Sequence, residues 1–114
     1  MNTPFTLHCI AWQAGAALLQ DVRVAACASG LLDADEIGSD DLDESSRHAL
    51  ALSKGGRAIG CARLTPQGSI ERIAVMPHDL RTQIEAALIE MLSDYARQTG
   101  LTPIRIATAK PAAH

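Results

Sequence analysis

The residues best placed to do chemistry fall in one stretch, positions 70–88, IERIAVMPHDLRTQIEAAL. It reads as a strand ending at Met76, a break at Pro77, a short loop and then an amphipathic helix. A helix amino terminus carries unpaired N–H donors and the positive end of the macrodipole, so it holds anions, phosphates included. Arg81 adds a cation there. Thr82-Gln83-Ile84-Glu85, however, fits the S/T-x-x-E capping box. In that motif the Thr82 hydroxyl accepts from the N–H of Glu85, and the Glu85 carboxylate accepts from the N–H of Thr82. Two donors are then satisfied and a negative charge occupies the helix end, which predicts weak anion binding. Glu71, on the strand before the break, is expected to pair with Arg63 or Arg72.

Other reactive side chains are scattered. His8, Cys9, Cys61 and His78 show neither C-x-x-C nor H-x-x-x-H spacing, so no metal site is predicted. Cys61 alternates onto the face of Ile59, which predicts core packing over nucleophilic work, and no His–Asp pair stands beside it in the pattern. His48 opens a strand, where a structural histidine is the commoner situation.

The elements that must position these groups follow from periodicity. Positions 6–12 predict a first strand and 14–29 a helix, with Leu18, Val22, Ala25 and Cys27 at roughly helical spacing and Gly30 as its cap. Positions 31–44 hold seven acidic residues and no basic one, which predicts a solvated loop. Alternation then predicts strands at 47–53, 57–65 and 69–76, joined by Lys54-Gly55-Gly56 and Pro66-Gln67-Gly68 into an antiparallel meander. Positions 80–98 form the clearest helix, with Ile84, Ala87, Leu88, Met91, Leu92 and Tyr95 on one face. Gly100 ends it, and Pro103 forbids its continuation. A last short strand at 104–109 is expected to return parallel to 69–76, because a helix intervenes, and 110–114 to be a frayed tail.

Composition bounds the function. The 114 residues suffice for one domain, residues 1–114, with a modest core. A net charge of −3 and only Phe5, Trp12 and Tyr95 as aromatics argue against nucleic acid as partner. No apolar run reaches membrane-spanning length. The start MNTPFTLHC lacks a basic n-region and an apolar h-region, so no signal peptide is expected. Three widely spaced cysteines predict buried thiols in a reducing cytoplasm.

From about Val22 to Ala109 the chain resembles the GNAT superfamily of acetyl-CoA-dependent N-acetyltransferases. The likeness is greatest to its ElaA-like branch, carried by Arg23, Asp40-Asp41-Leu42, Arg47-His48, Ala62-Arg63-Leu64 and Ile70-Glu71-Arg72-Ile73-Ala74-Val75. The resemblance implies an α/β (α+β) fold, a mixed, mostly antiparallel sheet flanked by helices. It implies that acetyl-CoA lies between the two parallel strands, its pantetheine arm on the backbone of Ala74 and Val75. Its pyrophosphate would lie at Arg81, Thr82, Gln83, Ile84 and Glu85. It also implies that Glu71 takes the proton of the acceptor amine and that His48 lines the acceptor side. The family's loop reads Arg-Gly-x-Gly-x-Gly/Ala. Aligned here, its arginine falls on Leu80 and its glycines on Arg81, Gln83 and Glu85. Family members continue into a further helix and two strands after the last strand matched here. The degenerate loop and shorter match predict weak or lost acetyl transfer, with a partner- or ligand-binding fold as the alternative. They also predict a homodimer through residues near 104–110.

Overall fold

The computed structural model describes residues 4–28, 40–76 and 79–106. Along them run β1 (Phe5–Ala11), α1 (Trp12–Ala28), α2 (Asp41–Ser45), β2 (Arg47–Ser53), β3 (Ala58–Leu64), β4 (Ser69–Val75), α3 (Arg81–Gln98) and β5 (Arg105–Ile106). The sheet order is β1-β2-β3-β4-β5. The first four strands are antiparallel neighbours, and β5 joins β4 in parallel after the α3 crossover. The fold is the mixed α/β sheet expected from the alternation. Of the predicted last strand, Arg105 and Ile106 are described as strand; positions 107–114 lie outside the described residues.

Both hairpins turn in the same way. In each, three residues lie inside the closing pair, Ser53 with Arg57 and Thr65 with Ser69, and the third is a glycine at positive φ, Gly56 at 85° and Gly68 at 87°. Their N–H groups bond back to Ser53 and Thr65. This is the three-residue loop whose last position requires the left-handed region, where glycine carries no penalty. Gly100, at φ 76°, ends α3 as predicted. Its N–H bonds to Arg97 at 3.2 Å and that of Leu101 to Ala96 at 2.8 Å, the paired bonds of a Schellman motif.

Side-chain alternation divides the core between the two faces of the sheet. One cluster gathers Ala49, Ala62, Leu64, Ile70, Ile73 and Val75 under α3, whose Ile84, Leu88, Leu92 and Ala96 are fully buried. The other places Leu50, Cys61 and Ala74 under α1, through Leu19, Val22 and Ala26. α1 therefore rotates relative to the sequence expectation, since Leu18 is exposed and Leu19 buried. α3 lies close to β3 because Gly60 has no side chain: a Cβ there would stand 3.2 Å from both Ile84 and Leu88.

Two register shifts redirect side chains. One falls between Ala51 and Leu52, against the start of β3, and it separates Ile59 from Cys61. The two were expected on one face but pack in different clusters. The other lies between β3 and β4, where Cys61 faces Ala74 and Arg63 faces Glu71. Two residues of β4, Arg72 and Ile73, thus oppose Ala62 alone, a β-bulge with Arg72 at φ 54°. The bulge lets Ile70 and Ile73 share the α3 face while Glu71 points with Arg63 to the other.

Candidate active site

The α1 face of the sheet, next to α2, is not purely apolar. Arg23 of α1 makes a bidentate pair with Asp43 of α2, Nη1 and Nη2 each donating at 2.8 Å. Both side chains are essentially fully buried. Arg63 of β3 donates to the same Asp43 at 3.0 Å and to Asp40 at 2.7 and 3.1 Å. It also donates to Glu71 Oε1, from Nη2 at 2.6 Å and Nε at 3.2 Å. Ser69 Oγ donates to Glu71 Oε2 at 3.1 Å, and Arg72 donates to Asp40 at 3.1 Å. Glu71 is thus paired with Arg63, as its surroundings in the sequence suggested, and both its oxygens are engaged.

The acidic segment was expected to be a solvated loop. Its described part corrects that expectation. Asp40 caps α2 by accepting from the Leu42 N–H at 3.0 Å, and Asp43 returns the capping-box bond to the Asp40 N–H. Two inward-pointing arginines need counter-charge once buried, and Asp43 supplies it. The clue lay in the strands: Arg63 stands two residues from buried Cys61 and shares its face. A guanidinium there demands a partner from outside the sheet.

Charge sets the titration of these groups. Burial alone would push the Asp43 carboxyl up; the Arg23 and Arg63 guanidiniums overcome this and hold it well below the usual carboxylate range. Asp40 is also lowered, chiefly by its bonds from Arg63. Burial pushes the Cys61 thiol up to about 12, so it stays protonated and inert. His48 is fully buried, 5.2 Å ring to ring from Trp12. Its Nε2 lies 2.9 Å from the Asp43 carbonyl, which can only accept, so Nε2 carries the proton. Nδ1 is buried without a hydrogen-bond partner among the described residues.

Burial lowers the His48 pKa. A depressed folded-state pKa means the unfolded chain binds the proton first, so stability is lost as pH falls. The urea midpoint should therefore begin to drop below about pH 6.5 and keep dropping as Asp40 and Asp43 titrate below about pH 4. A midpoint flat from pH 7 to pH 5 would contradict this assignment of His48.

At the far end of β4 the Met76 N–H bonds to the Ile59 carbonyl at 2.8 Å. Backbone direction alternates along an antiparallel ladder. Ala74 therefore turns its groups to β3, whereas Val75 turns them to the opposite edge, the side of β5. α3 starts at Arg81 with Leu80 as N-cap, and no side chain caps it. The capping box expected from Thr82 and Glu85 is not formed, because the helix begins one residue before Thr82 and places Glu85 in the second turn. The first intrahelical bond runs from the Ile84 N–H to the Leu80 carbonyl. The N–H groups of Arg81, Thr82 and Gln83 thus precede any intrahelical acceptor, and all three residues are exposed. Ile84 is committed to the core by its bond and its burial.

Comparison with known proteins decides the family. The acetyltransferase (GNAT) family profile matches residues 12–114. The chain belongs to the GNAT acetyltransferase family. Among solved structures, it is similar to an aminoglycoside acetyltransferase from an uncultured soil metagenomic sample. The TM-score is 0.74 and the identity 18%, over 96% of this chain and 83% of that one. It is also similar to a ribosomal-protein-alanine N-acetyltransferase from Brucella melitensis, with TM-score 0.66 and 16% identity, over 91% and 79%. An aminoglycoside 6'-N-acetyltransferase from Acinetobacter baumannii gives TM-score 0.63 and 16% identity, over 95% and 82%. At such identities the likeness is one of fold. No functionally curated protein matches.

Within this GNAT fold the residues that carried the sequence resemblance converge. Arg23 of α1, Asp40 at the cap of α2, His48 of β2, Arg63 of β3 and Glu71 and Arg72 of β4 join in one cluster with Asp43, the residue the sequence reading passed over. Among the described residues no three candidate ligands gather into a metal site; His78 lies outside them.

Proposed function

We propose that this GNAT protein binds acyl-coenzyme A and transfers its acyl group, acetyl in the simplest case, to an amine. The observation that carries this reading is the open amino terminus of α3. Three N–H groups without intrahelical partners open the helix that begins after the five residues beyond β4, with Arg81 among them, which suits a pyrophosphate. The backbone of Val75, turned away from β3, suits the pantetheine arm. When bound, acyl-coenzyme A would supply the thioester: the neutral amine's nitrogen bonds to the acyl carbon, the carbon–sulfur bond breaks, and the proton shed by the nitrogen ends on the departing thiolate, giving the amide and free coenzyme A thiol.

Glu71 is not the acceptor of that proton. Its two oxygens already accept three hydrogen bonds, so it holds the bulge of β4 in place and is not free as a base. The acceptor then enters already deprotonated from solvent. Acetyl transfer, followed by release of free thiol, should accelerate with pH up to the pKa of the acceptor amine itself. Glu71→Gln should change the rate less than about tenfold, whereas loss of a general base costs roughly 10²–10⁴-fold. A loss of a thousandfold would restore Glu71 as the base. The same engaged carboxylate favours a second reading, a GNAT fold retained for binding. Coenzyme A binding with no thiol release in the presence of any amine would select it.

A further inference from the structure

α3 does not lie flush on the sheet along its whole length. Beside the edge strand β1 it leaves a cavity of about 480 Å³, and near the start of β2 lies a second of about 320 Å³. Tyr95 lines both, so the two adjoin as one trough. Its floor is every second residue of β1, Leu7 and Cys9 in the first cavity and Ala11 in the second. The four steps from Leu7 to Ala11 span about 13 Å. The wall is Ala87, Met91 and Tyr95, successive turns on one side of the helix.

The two ends differ in chemistry. The first cavity is lined by Leu7, Cys9, Ala87, Met91 and Tyr95 together with the polar Gln98, with Glu90 exposed at its rim and Asp94 paired with Arg97. The second holds the Arg47 guanidinium, 5.1 Å above the Tyr95 ring. Arg47 Nε and Ser46 Oγ are buried without a hydrogen-bond partner among the described residues, and both residues line this cavity. Ser46 is only 5% exposed. Glu44 and Ser45 stand exposed at the mouth. Buried donors without acceptors are rare in folded proteins. Two neighbouring ones, one of them cationic, call for an anionic acceptor.

We infer that the trough is a binding site for an amphiphilic monocarboxylate. The carboxylate accepts from Arg47 and Ser46, and the apolar chain runs past Tyr95 over Cys9 and Leu7. β1 and β5 are the outer strands of the sheet. This site and the acyl-donor site beside β4 and β5 therefore occupy opposite edges, and the inference stands independently of the catalytic reading.

The test is calorimetric titration of the full chain with octanoate, decanoate and decylamine, all below their micellar concentrations. Decanoate should bind. Octanoate should bind roughly tenfold more weakly for the two methylenes it lacks, and decylamine should give no saturable heat. Decanoate should also slow alkylation of Cys9, the partly exposed free thiol in the floor, read by peptide mass spectrometry. Arg47→Gln should weaken decanoate about tenfold or more, with partial recovery in Arg47→Lys. Ala87→Phe should abolish the dependence on chain length. Decylamine binding as tightly as decanoate, no decanoate binding up to its solubility, or an affinity unmoved by Arg47→Gln would overturn the inference. If the Arg47 variants do not fold, the comparison of decanoate with decylamine and the Cys9 protection decide it on the unaltered protein.

Discussion

Asp43→Ala should destabilise the fold by about 3–5 kcal/mol, the cost of leaving buried charge uncompensated. Asp43 is fully buried and is the common partner of Arg23 and Arg63, which are themselves 1% and 3% exposed. Removing it leaves the buried Arg23 guanidinium without its carboxylate, beside an Arg63 that keeps Asp40 and Glu71. A domain of this size has a total stability on the order of 5–15 kcal/mol, so the variant should unfold at far lower urea or not fold at 37 °C. A surface change such as Asp41→Ala, one residue from the network's edge, should stay within about 0.5 kcal/mol. The triple variant Arg23→Met, Asp43→Ala, Arg63→Met should recover much of the loss, since an apolar core can replace a buried ion cluster. Equal urea midpoints for Asp43→Ala and the parent would show that the cluster is not buried in solution.

The network also explains what the sequence could and could not reveal. β2 was readable to the residue, because Arg47–Ser53 alternates cleanly between two faces and ends at a glycine turn. α3 was readable because its apolar stripe is long and Gly100 closes it in a Schellman motif. Asp43 was not readable. Local composition places seven acids in solvent, and only the three-dimensional arrival of Arg23 and Arg63 makes burial of one of them favourable. The bulge at Arg72 and Ile73 was equally hidden, since nothing in Ile70-Glu71-Arg72-Ile73 marks a residue for φ 54°. A non-glycine residue in that region costs roughly 1–2 kcal/mol; the pairing of Arg72 with Asp40 and of Glu71 with Arg63 holds the backbone there.

The helix start misled for a related reason. Thr82 and Glu85 match the capping box by type and spacing, but the motif needs Thr82 at the N-cap. Leu80 takes that place, because its carbonyl already accepts from Ile84 at 2.8 Å. Two residues of phase, from Thr82 to Leu80 as N-cap, leave the helix end without a side-chain cap. The family's glycines are absent from this chain, yet the donors they would uncover are backbone groups, and those of Arg81, Thr82 and Gln83 precede the first intrahelical bond.

The second large effect follows from that open end. Acetyl-coenzyme A at 100 times its Kd adds about 2.7 kcal/mol to stability, which for a domain of this size raises Tm by roughly 10 °C. Arg81→Glu should separate binding from folding by sign. A carboxylate in the first turn favours the unliganded helix by about 0.3–1 kcal/mol, yet it repels the pyrophosphate and should weaken binding about tenfold or more.

The most direct measurement is thermal unfolding of the parent chain and of Arg81→Glu, each with and without saturating acetyl-coenzyme A. The account predicts a rise of many degrees for the parent. For Arg81→Glu it predicts a slightly higher Tm without ligand and a much smaller rise with it. No rise for the parent at millimolar ligand, or an equal rise for both proteins, would contradict the assignment of the α3 amino terminus as the coenzyme A site.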